Sequence, residues 1–270
     1  MKSFRMKSGY QFPVLGLGTW KLNGSVCTKT VLKALELGYS HIDTAAAYGN
    51  EEEVGKAIRE SGIRRPDLFI TTKVWFDSLR TRDVVDACQD SLRRLRTDYI
   101  DLLLVHWPNR RTPIRHTLEG FKYLEEKKLV RSFGVSNFTI SHLEEALKES
   151  DIPLSVNQVE FHPYLNQSEL LTFCNEHKIL VTAYSPIARG HLKEDPVLLD
   201  IAGQKNATPA QIALAWLRQK GLVAIPKASS EQHLKENMDT LQIELTDEQM
   251  RQVDGLNRNQ RLVNPSWAEF

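Results

Sequence analysis

Short apolar runs alternate with longer stretches of helical periodicity from one end of the chain to the other. Each run is followed by apolar residues three or four positions apart, such as Val84, Cys88 and Leu92 after the third run, which predicts a helix. The runs predict eight strands, which are Val14–Leu17, His41–Asp43, Phe69–Val74, Ile100–His106, Ser132–Val135, Ser155–Glu160, Leu180–Tyr184 and Leu222–Ile225. The chain is therefore expected to repeat a strand and a helix eight times.

Residues typical of helix ends fit this alternation. Thr208 followed by Pro209 predicts a helix that begins there, because threonine caps a helix and proline suits its first position. The segment Thr246–Gln249 has the pattern of a capping box and predicts an added helix near the C-terminus. Gly62 and Gly221 stand where two of the helices should end.

Eight strand–helix units of about 30 residues each fill a chain of this length. No linker rich in proline or serine divides it, so we expect one domain over residues 1–270. The predicted fold class is α/β, a single (β/α)8 TIM barrel with an added C-terminal helix and tail. Phe4–Lys7 and Tyr10–Pro13 flank Ser8-Gly9 and predict a short hairpin that plugs the barrel floor.

A doubly wound open sheet is the competing fold. Its dinucleotide-binding fingerprint, GxGxxG, should follow the first strand. Here the first strand ends in Gly16-Leu17-Gly18 and the third glycine is missing. The two glycines are as consistent with closure of a barrel as with binding of a phosphate.

Composition narrows the class of protein. The 270 residues include 35 Lys and Arg against 34 Asp and Glu, a net charge of +1 that argues against a dedicated nucleic-acid binder. A hydrophobic share of 41% argues against disorder. Cys27, Cys88 and Cys174 lie far apart and form no disulfide framework. With no apolar leader and no uncharged apolar run near 18 residues, we expect a soluble cytoplasmic protein.

Polar residues at the ends of successive strands carry the candidate chemistry, because active sites of barrels lie where strands end. Asp43 ends the second strand, Tyr48 follows it, Lys73 lies in the third and His106 ends the fourth. Taken singly, each has a structural alternative, such as a helix cap or a core histidine. Together they suit protonation of an oxyanion, because an ammonium lowers the pKa of a nearby phenol and a carboxylate can hold the ammonium.

Sequence motifs throughout the chain resemble those of the aldo-keto reductase superfamily. The tetrad segments are HIDTAAAYGNEEEVG (His41–Gly55), ITTKVW (Ile70–Trp75) and LLLVHWP (Leu102–Pro108). The likeness continues in order through Gly134–Phe138, Asn157–Gln167, Ala183–Gly190 and Ile225–Asn237. A short loop at Trp107–Pro113 and a short tail after Gly255 are most similar to the bacterial 2,5-diketo-D-gluconate reductase-like branch.

The resemblance implies a barrel that binds a nicotinamide dinucleotide without a Rossmann fold and reduces carbonyl compounds. It makes Tyr48 the general acid, Lys73 and Asp43 the residues that tune it, and His106 the residue that positions the carbonyl. The cofactor-binding residues it implies are Thr19, Trp20, Asp43, Ser136, Asn137, Gln158, Tyr184, Ser185, Ile187, Arg189, Pro226, Lys227, Ser229, Ser230, His233, Glu236 and Asn237.

The substrate site implied in the same way is rich in tryptophan. Its predicted residues are Trp20, Tyr48, Trp75, His106 and Trp107, with Ile187 and Trp267 at the mouth. Small aldehydes such as methylglyoxal, keto-sugars such as 2,5-diketogluconate, β-keto esters and aromatic aldehydes all suit such a site. The residues do not select one of them.

The chain departs from the family pattern at the adenosine end. Ala228 stands where Ser or Thr is frequent, and His233 stands where Arg is usual. Arginine is always charged and binds a phosphate bidentately, whereas histidine is mostly neutral at pH 7. Lys227 and Ser230 remain, so NADPH is the expected cofactor and NADH the alternative.

Two other functions compete with a reductase. A cofactor-binding sensor or regulatory subunit would keep the same residues, but nothing in the sequence indicates an added interaction segment. A metal- or phosphate-dependent lyase would need clustered carboxylate or histidine ligands, and only scattered ones are found. The expected partners are a small carbonyl substrate and neither nucleic acid nor membrane, and the resemblance implies a monomer without a metal.

Overall fold

A computed structural model describes residues 2–269. Its strands are β1 (Ser3–Arg5), β2 (Gln11–Pro13), β3 (Leu17–Gly18), β4 (His41–Asp43), β5 (Phe69–Val74), β6 (Leu102–Val105), β7 (Phe133–Ser136), β8 (Leu154–Glu160), β9 (Leu180–Tyr184) and β10 (Val223–Ala224). Its helices are α1 (Gly24–Glu36), α2 (Glu51–Glu60), α3 (Thr81–Leu95), α4 (Ile114–Glu126), α5 (Ile140–Glu149), α6 (Ser168–Glu176), α7 (Pro196–Lys205), α8 (Pro209–Gln219), α9 (Glu231–Asp239) and α10 (Asp247–Asp254).

The strands β3 to β10 form one parallel sheet in the order of the sequence. The sheet closes on itself, because Leu15 and Ala224 form a parallel bridge between its two ends. Two hydrogen bonds hold this seam, from the Gly16 N–H to the Ala224 carbonyl at 2.9 Å and from the Ala224 N–H to the Val14 carbonyl at 3.0 Å. The predicted (β/α)8 barrel is confirmed, and the doubly wound open sheet is excluded.

The two glycines of the first strand allow close packing against both of its neighbours. A Cβ on Gly16 would overlap the imidazole ring of His41 on β4, and a Cβ on Gly18 would lie 2.7 Å from the Ile225 carbonyl oxygen at the seam. Closure of the barrel therefore explains Gly18, and packing against β4 explains Gly16.

The N-terminal hairpin fills the floor of the barrel, as predicted. β1 and β2 pair in antiparallel register, with Phe4 opposite Phe12. Met6 and Phe12 are buried against the inward-facing side chains at the start of the strands, which include Phe69 and Leu102. The Ser8 N–H also donates to Ser155 Oγ at 3.3 Å, which ties the hairpin turn to the barrel wall.

Most strand boundaries agree with the sequence prediction to within one residue, but the first barrel strand, predicted at Val14–Leu17, is confined to Leu17–Gly18. His41–Asp43, Phe69–Val74 and Leu180–Tyr184 match residue for residue, whereas the predicted run Ile100–His106 shortens to Leu102–Val105. The reason is that Ile100 makes only an isolated bridge, with Val130.

One helix was missed. α7 lies between β9 and α8, where the sequence predicted only the helix that begins after Thr208. Its apolar residues follow one another too closely to show a helical stripe. Asp195 and Pro196 signal its start, since the Asp195 side chain accepts from two backbone N–H groups at 3.1 Å. The predicted caps at Thr208 and Thr246 are present as full capping boxes.

Within residues 2–269, none of the helices has the length and apolar character needed to cross a membrane.

Candidate active site

The four residues singled out for catalysis meet at the carboxyl ends of β4, β5 and β6. Asp43 is the last residue of β4, Lys73 lies near the end of β5 and His106 follows β6 directly. Tyr48 ends a short 3-10 turn, Ala46–Tyr48, in the loop after β4. Because neighbouring parallel strands end on the same side of the sheet, these side chains converge at one mouth of the barrel.

Lys73 is the centre of this group. Its Nζ lies 2.5 Å from Asp43 Oδ1, 2.8 Å from the Thr44 carbonyl oxygen and 3.5 Å from Tyr48 Oη. Lys73 and Asp43 are each about 1% exposed. All three protons of the ammonium group therefore point to oxygen atoms, which is what a buried lysine requires.

The pKa values of this group reflect burial and mutual attraction. Burial alone would lower the pKa of Lys73, but the attraction of Asp43 and Tyr48 outweighs it and raises that pKa, so the ammonium stays charged. Burial raises the pKa of Tyr48, and the opposing effect of Lys73 only partly compensates. Sequence reasoning predicted correctly that Lys73 lowers the pKa of Tyr48, but it missed the larger, opposite effect of burial on that pKa. At neutral pH the phenol therefore carries its proton, as an acid must.

His106 is held neutral beside the phenol. Burial, followed by repulsion from Lys73, brings the pKa of His106 well below its ordinary value. Its ring packs edge-on against Tyr48 with centroids 5.5 Å apart, and against Trp75 with centroids 5.0 Å apart. A neutral imidazole in this place can donate a hydrogen bond to an oxygen atom without carrying a charge.

The opposite wall of the barrel brings together several residues that the resemblance assigns to cofactor binding. Gln158 Nε2 donates to Asp43 Oδ2 at 2.7 Å, and Ser136 Oγ donates to the Gln158 carbonyl at 2.8 Å. Asn137 Nδ2 donates to the His106 carbonyl at 3.0 Å, and Tyr184 Oη donates to Asn137 Oδ1 at 2.8 Å. Three strands, β7, β8 and β9, are thus connected through hydrogen bonds to Asp43 and His106.

Residues from the first and seventh strands of the barrel border the opening. Thr19 Oγ1 donates to the Asp43 carbonyl at 3.0 Å, so the loop after β3 is tied to the site. The next residue, Trp20, is 43% exposed, and the guanidinium of Arg189 lies 5.1 Å from its ring. Ser185 and Ile187 precede Arg189 in the loop after β9 and are partly buried.

The predicted adenosine end lies at the start of α9. Ser230 caps this helix, because its Oγ accepts from the His233 N–H at 3.2 Å. Lys227, Ser229, Ser230 and His233 are exposed, and Pro226 and Asn237 are buried beneath them. Glu236 is partly buried and its carbonyl accepts from Gln211. The exposed group offers hydroxyls, a lysine and a helix N-terminus, a combination suited to a phosphate.

Aromatic side chains surround the mouth. The ring of Trp267, in the C-terminal tail, lies 4.8 Å from that of Trp107, 5.0 Å from that of Phe76 and 6.2 Å from that of Trp75. Trp107 is buried, whereas Trp267 is 48% exposed. The sequence prediction that Trp75, Trp107 and Trp267 share one pocket fits this geometry.

Sequence reasoning missed Asn50. Its side chain is fully buried and donates to the carbonyls of Thr19 and Leu22 at 2.9 and 2.8 Å, while Thr44 Oγ1 donates to its Oδ1 at 2.7 Å. It thereby fixes the loop that carries Tyr48. Asn50 stands just before α2, where asparagine is common as a helix cap, and nothing else in the sequence distinguishes it.

No group of three or more His, Cys, Asp or Glu residues that could hold a metal ion occurs between residues 2 and 269.

Comparison with known proteins gives consistent matches. The model of the Aldo/keto reductase family matches residues 14–258. A glyoxal reductase of Bacillus subtilis (strain 168) is 42% identical over 267 residues, which cover 98% of this chain and 96% of that protein. The crystal structure of a putative 2,5-diketo-D-gluconic acid reductase B has a TM-score of 0.94 at 40% identity, covering 98% and 94% of the two chains. An aldo-keto reductase crystallised with NADPH has a TM-score of 0.93 at 32% identity, covering 98% and 90%.

Proposed function

The chain belongs to the aldo/keto reductase family, and on that premise we propose that it reduces small aldehydes and ketones with NADPH, using Tyr48 as the general acid. As a member of this family it is a nicotinamide-dependent oxidoreductase that acts on carbonyl groups. One observation carries the assignment of the acid, namely that the buried Lys73 ammonium lies 3.5 Å from Tyr48 Oη and 2.5 Å from Asp43 Oδ1.

The proton moves at Tyr48 Oη. When the carbonyl oxygen of the substrate gains negative charge, the phenol donates its proton and becomes a phenolate, which the Lys73 ammonium stabilises. Asp43 keeps the ammonium in place through its short contact and is in turn held by Gln158. These three residues thus make a weak acid able to act at neutral pH.

His106 orients the carbonyl group. Its imidazole stays uncharged because burial and Lys73 lower its pKa, so it donates a hydrogen bond without taking the proton intended for the oxyanion. Its ring packs edge-on against Tyr48, which brings the imidazole next to the proposed acid, and its Nδ1 is buried without a hydrogen-bond partner within residues 2–269.

The residues present fit a nicotinamide dinucleotide. Asn137, Ser136 and Gln158 supply amide and hydroxyl groups beside Asp43, and the phenol ring of Tyr184 lies next to them. Trp20 and Arg189 border the opening, and Lys227, Ser230 and His233 lie exposed at the start of α9. When bound, reduced nicotinamide would supply the hydride. The family membership and the NADPH complex of a structural relative support NADPH, and His233 keeps NADH as the alternative.

The substrate class is small and carbonyl-bearing. The aromatic rings of Trp75 and Trp107 both pack against Trp267, and Trp75 also packs against His106, which favours compact or flat molecules. The glyoxal reductase among the relatives supports 2-oxoaldehydes, and the diketogluconic acid reductase-like structure supports keto-sugars. We further propose that the protein is cytoplasmic, since its three cysteines are free and buried, and that it is a monomer, as the resemblance implies.

Steady-state kinetics tests the proposal. Oxidation of NADPH and of NADH would be followed at 340 nm with glyoxal, methylglyoxal, a β-keto ester, 2,5-diketogluconate and an aromatic aldehyde. We expect turnover with at least one 2-oxoaldehyde and a lower KM for NADPH than for NADH. Tight cofactor binding without turnover of any carbonyl compound would instead support a sensor or regulatory subunit.

A further inference from the structure

Glu160, the last residue of β8, binds the C-terminal tail. Its side chain is fully buried. Its Oε1 accepts from the Leu262 N–H at 2.8 Å, and its Oε2 accepts from the Val263 N–H at 2.9 Å. Its Oε1 also lies 3.0 Å from His162 Nε2, so that both carboxylate oxygens have partners. The catalytic scheme above makes no use of this carboxylate.

The carboxylate binds backbone groups of two consecutive tail residues. Such contacts do not depend on which side chains the tail carries, but they fix its register, because a shift of one residue would present different N–H groups. Hydrogen bonds to a charged acceptor are about twice as strong as those between neutral groups. Burial opposes ionisation of Glu160, yet the hydrogen bonds from His162, Leu262 and Val263 hold its pKa below the ordinary value, so the acceptor is charged at neutral pH.

This attachment lies close along the chain to the aromatic wall of the substrate mouth. Trp267 stands four positions after Val263, which limits the distance between their Cα atoms to about 14 Å even in a fully extended chain. Beyond Trp267, the Glu269 carboxylate pairs with Arg110 and lies 3.1 Å from His142 Nε2. The tail is thus held on both sides of Trp267, by a buried group at one end and by partly exposed groups at the other.

We propose that Glu160 is a positioning residue that sets the substrate range of the enzyme by fixing the tail so that Trp267 closes the substrate mouth over Trp75 and Trp107. The inference rests on the proposed function in one respect, that the aromatic mouth receives the substrate. Large flat carbonyl compounds, which reach Trp267, depend on this attachment. Methylglyoxal, which is small enough to stay next to Tyr48 and His106, does not.

The first test measures the attachment without any catalysis. Hydrogen exchange of the full-length protein, read by mass spectrometry on the peptide over residues 261–269, would compare wild type with Glu160→Gln. The side chain of glutamine is neutral and has only one acceptor oxygen, so it cannot accept hydrogen bonds from both tail N–H groups as the carboxylate does. We therefore expect hydrogen exchange in this peptide to become about tenfold faster or more. Glu169→Gln, on the exposed first turn of α6, is the matched control and should leave exchange unchanged.

The second test separates KM from kcat. For para-nitrobenzaldehyde we expect Glu160→Gln to raise KM about three- to tenfold, equal to about 0.7–1.4 kcal/mol. For methylglyoxal both kcat and KM should stay within about twofold of wild type. In Trp267→Ala the KM for the aromatic aldehyde should rise by a similar factor, and the double variant should be no worse than either single variant, because both act through one contact.

Val263→Pro covers the case in which Glu160→Gln does not fold. It removes one N–H donor to Glu160 from the tail and leaves the barrel sequence intact. It should reproduce the faster exchange and the higher KM for the aromatic aldehyde. Unchanged exchange, an equal loss with both substrates, or additive effects of Glu160→Gln and Trp267→Ala would overturn the inference. Failure of the proposed function would look different, since wild type itself would then reduce no carbonyl compound.

Discussion

The side-chain amide of Gln158 donates to Asp43 Oδ2 at 2.7 Å, across the interior of the barrel. β4, which ends at Asp43, and β8, which carries Gln158, have three strands between them in either direction around the closed sheet. The other carboxylate oxygen of Asp43 receives Lys73. The Asp43 carboxylate is therefore held both from the strand next to its own, which carries Lys73, and from the opposite wall, so its orientation depends on the closed barrel.

Replacing Lys73 with methionine should lower both stability and activity. Asp43 would keep the neutral amide of Gln158 but lose its cation, and breaking a buried pair costs about 3–5 kcal/mol. Urea unfolding followed by circular dichroism measures the loss. Lys29→Met, on the exposed face of α1, is the control and should unfold near the wild-type midpoint. An unchanged midpoint for Lys73→Met would show that the pair adds nothing to stability.

Replacing Tyr48 with phenylalanine should nearly abolish turnover and leave NADPH binding within about twofold of wild type. The ring and its packing against His106 remain, but the proton donor is gone, and general acid catalysis contributes about 10²–10⁴-fold. Single-turnover kinetics and fluorescence titration with NADPH give the two quantities. Tyr123→Phe, at an exposed tyrosine on α4, is the matched control. A Tyr48→Phe enzyme with most of its kcat would rule out Tyr48 as the acid.

His233→Arg should tighten NADPH binding and leave NADH binding nearly unchanged. The exposed side chain lies in the first turn of α9 near Lys227, and Ala228 offers no hydroxyl. One added charge-assisted hydrogen bond contributes about 1.5–3 kcal/mol, which is roughly a tenfold to hundredfold gain in affinity.

Titration calorimetry of wild type and His233→Arg with both cofactors gives the affinities. If His233→Arg leaves NADPH affinity unchanged, His233 does not contact the phosphate that distinguishes NADPH from NADH.

His41 should make the protein less stable as the solution becomes acidic. Burial, with a smaller contribution from Lys73, lowers the pKa of this histidine to about 3. The unfolded chain binds a proton near the ordinary pKa of about 6.5, so stability is complete above that value and is lost as pH falls toward 3. Between pH 7 and pH 5 the loss from this group is about 2 kcal/mol.

Replacing His41 with glutamine should flatten this part of the pH dependence. Glutamine does not titrate and can still form a hydrogen bond with Thr71, which lies 3.1 Å from His41 Nε2. Urea midpoints at pH 7 and pH 5 would be compared between the variant, wild type and His116→Gln, a control at a partly exposed histidine. Equal slopes in all three proteins would contradict the assigned cause.

Local sequence patterns predicted the barrel and the tetrad because both follow from short-range rules. Strand alternation gave β4, β5 and β9 to the residue, and the rule that sites lie at strand ends selected Asp43, Lys73 and His106. Contacts between distant residues had no such signal. Glu160 meets Leu262 across 102 positions, and Gln158 meets Asp43 across 115. A resemblance placed Gln158 in the site, but only the fold reveals that it supports Asp43.

The hairpin covers the end of the barrel where the strands begin, and Met6 and Phe12 are buried there. Under the proposed function, cofactor, substrate and product exchange with solvent at the other end, whose rim carries Trp20 and Trp267. Because cofactor and substrate use the same end of the barrel, the molecule that binds deeper in the site binds first and is released last. Substitutions at this rim should therefore alter the rates of both binding and release. The kcat of the enzyme then depends on these rates as well as on the rate of the chemical step.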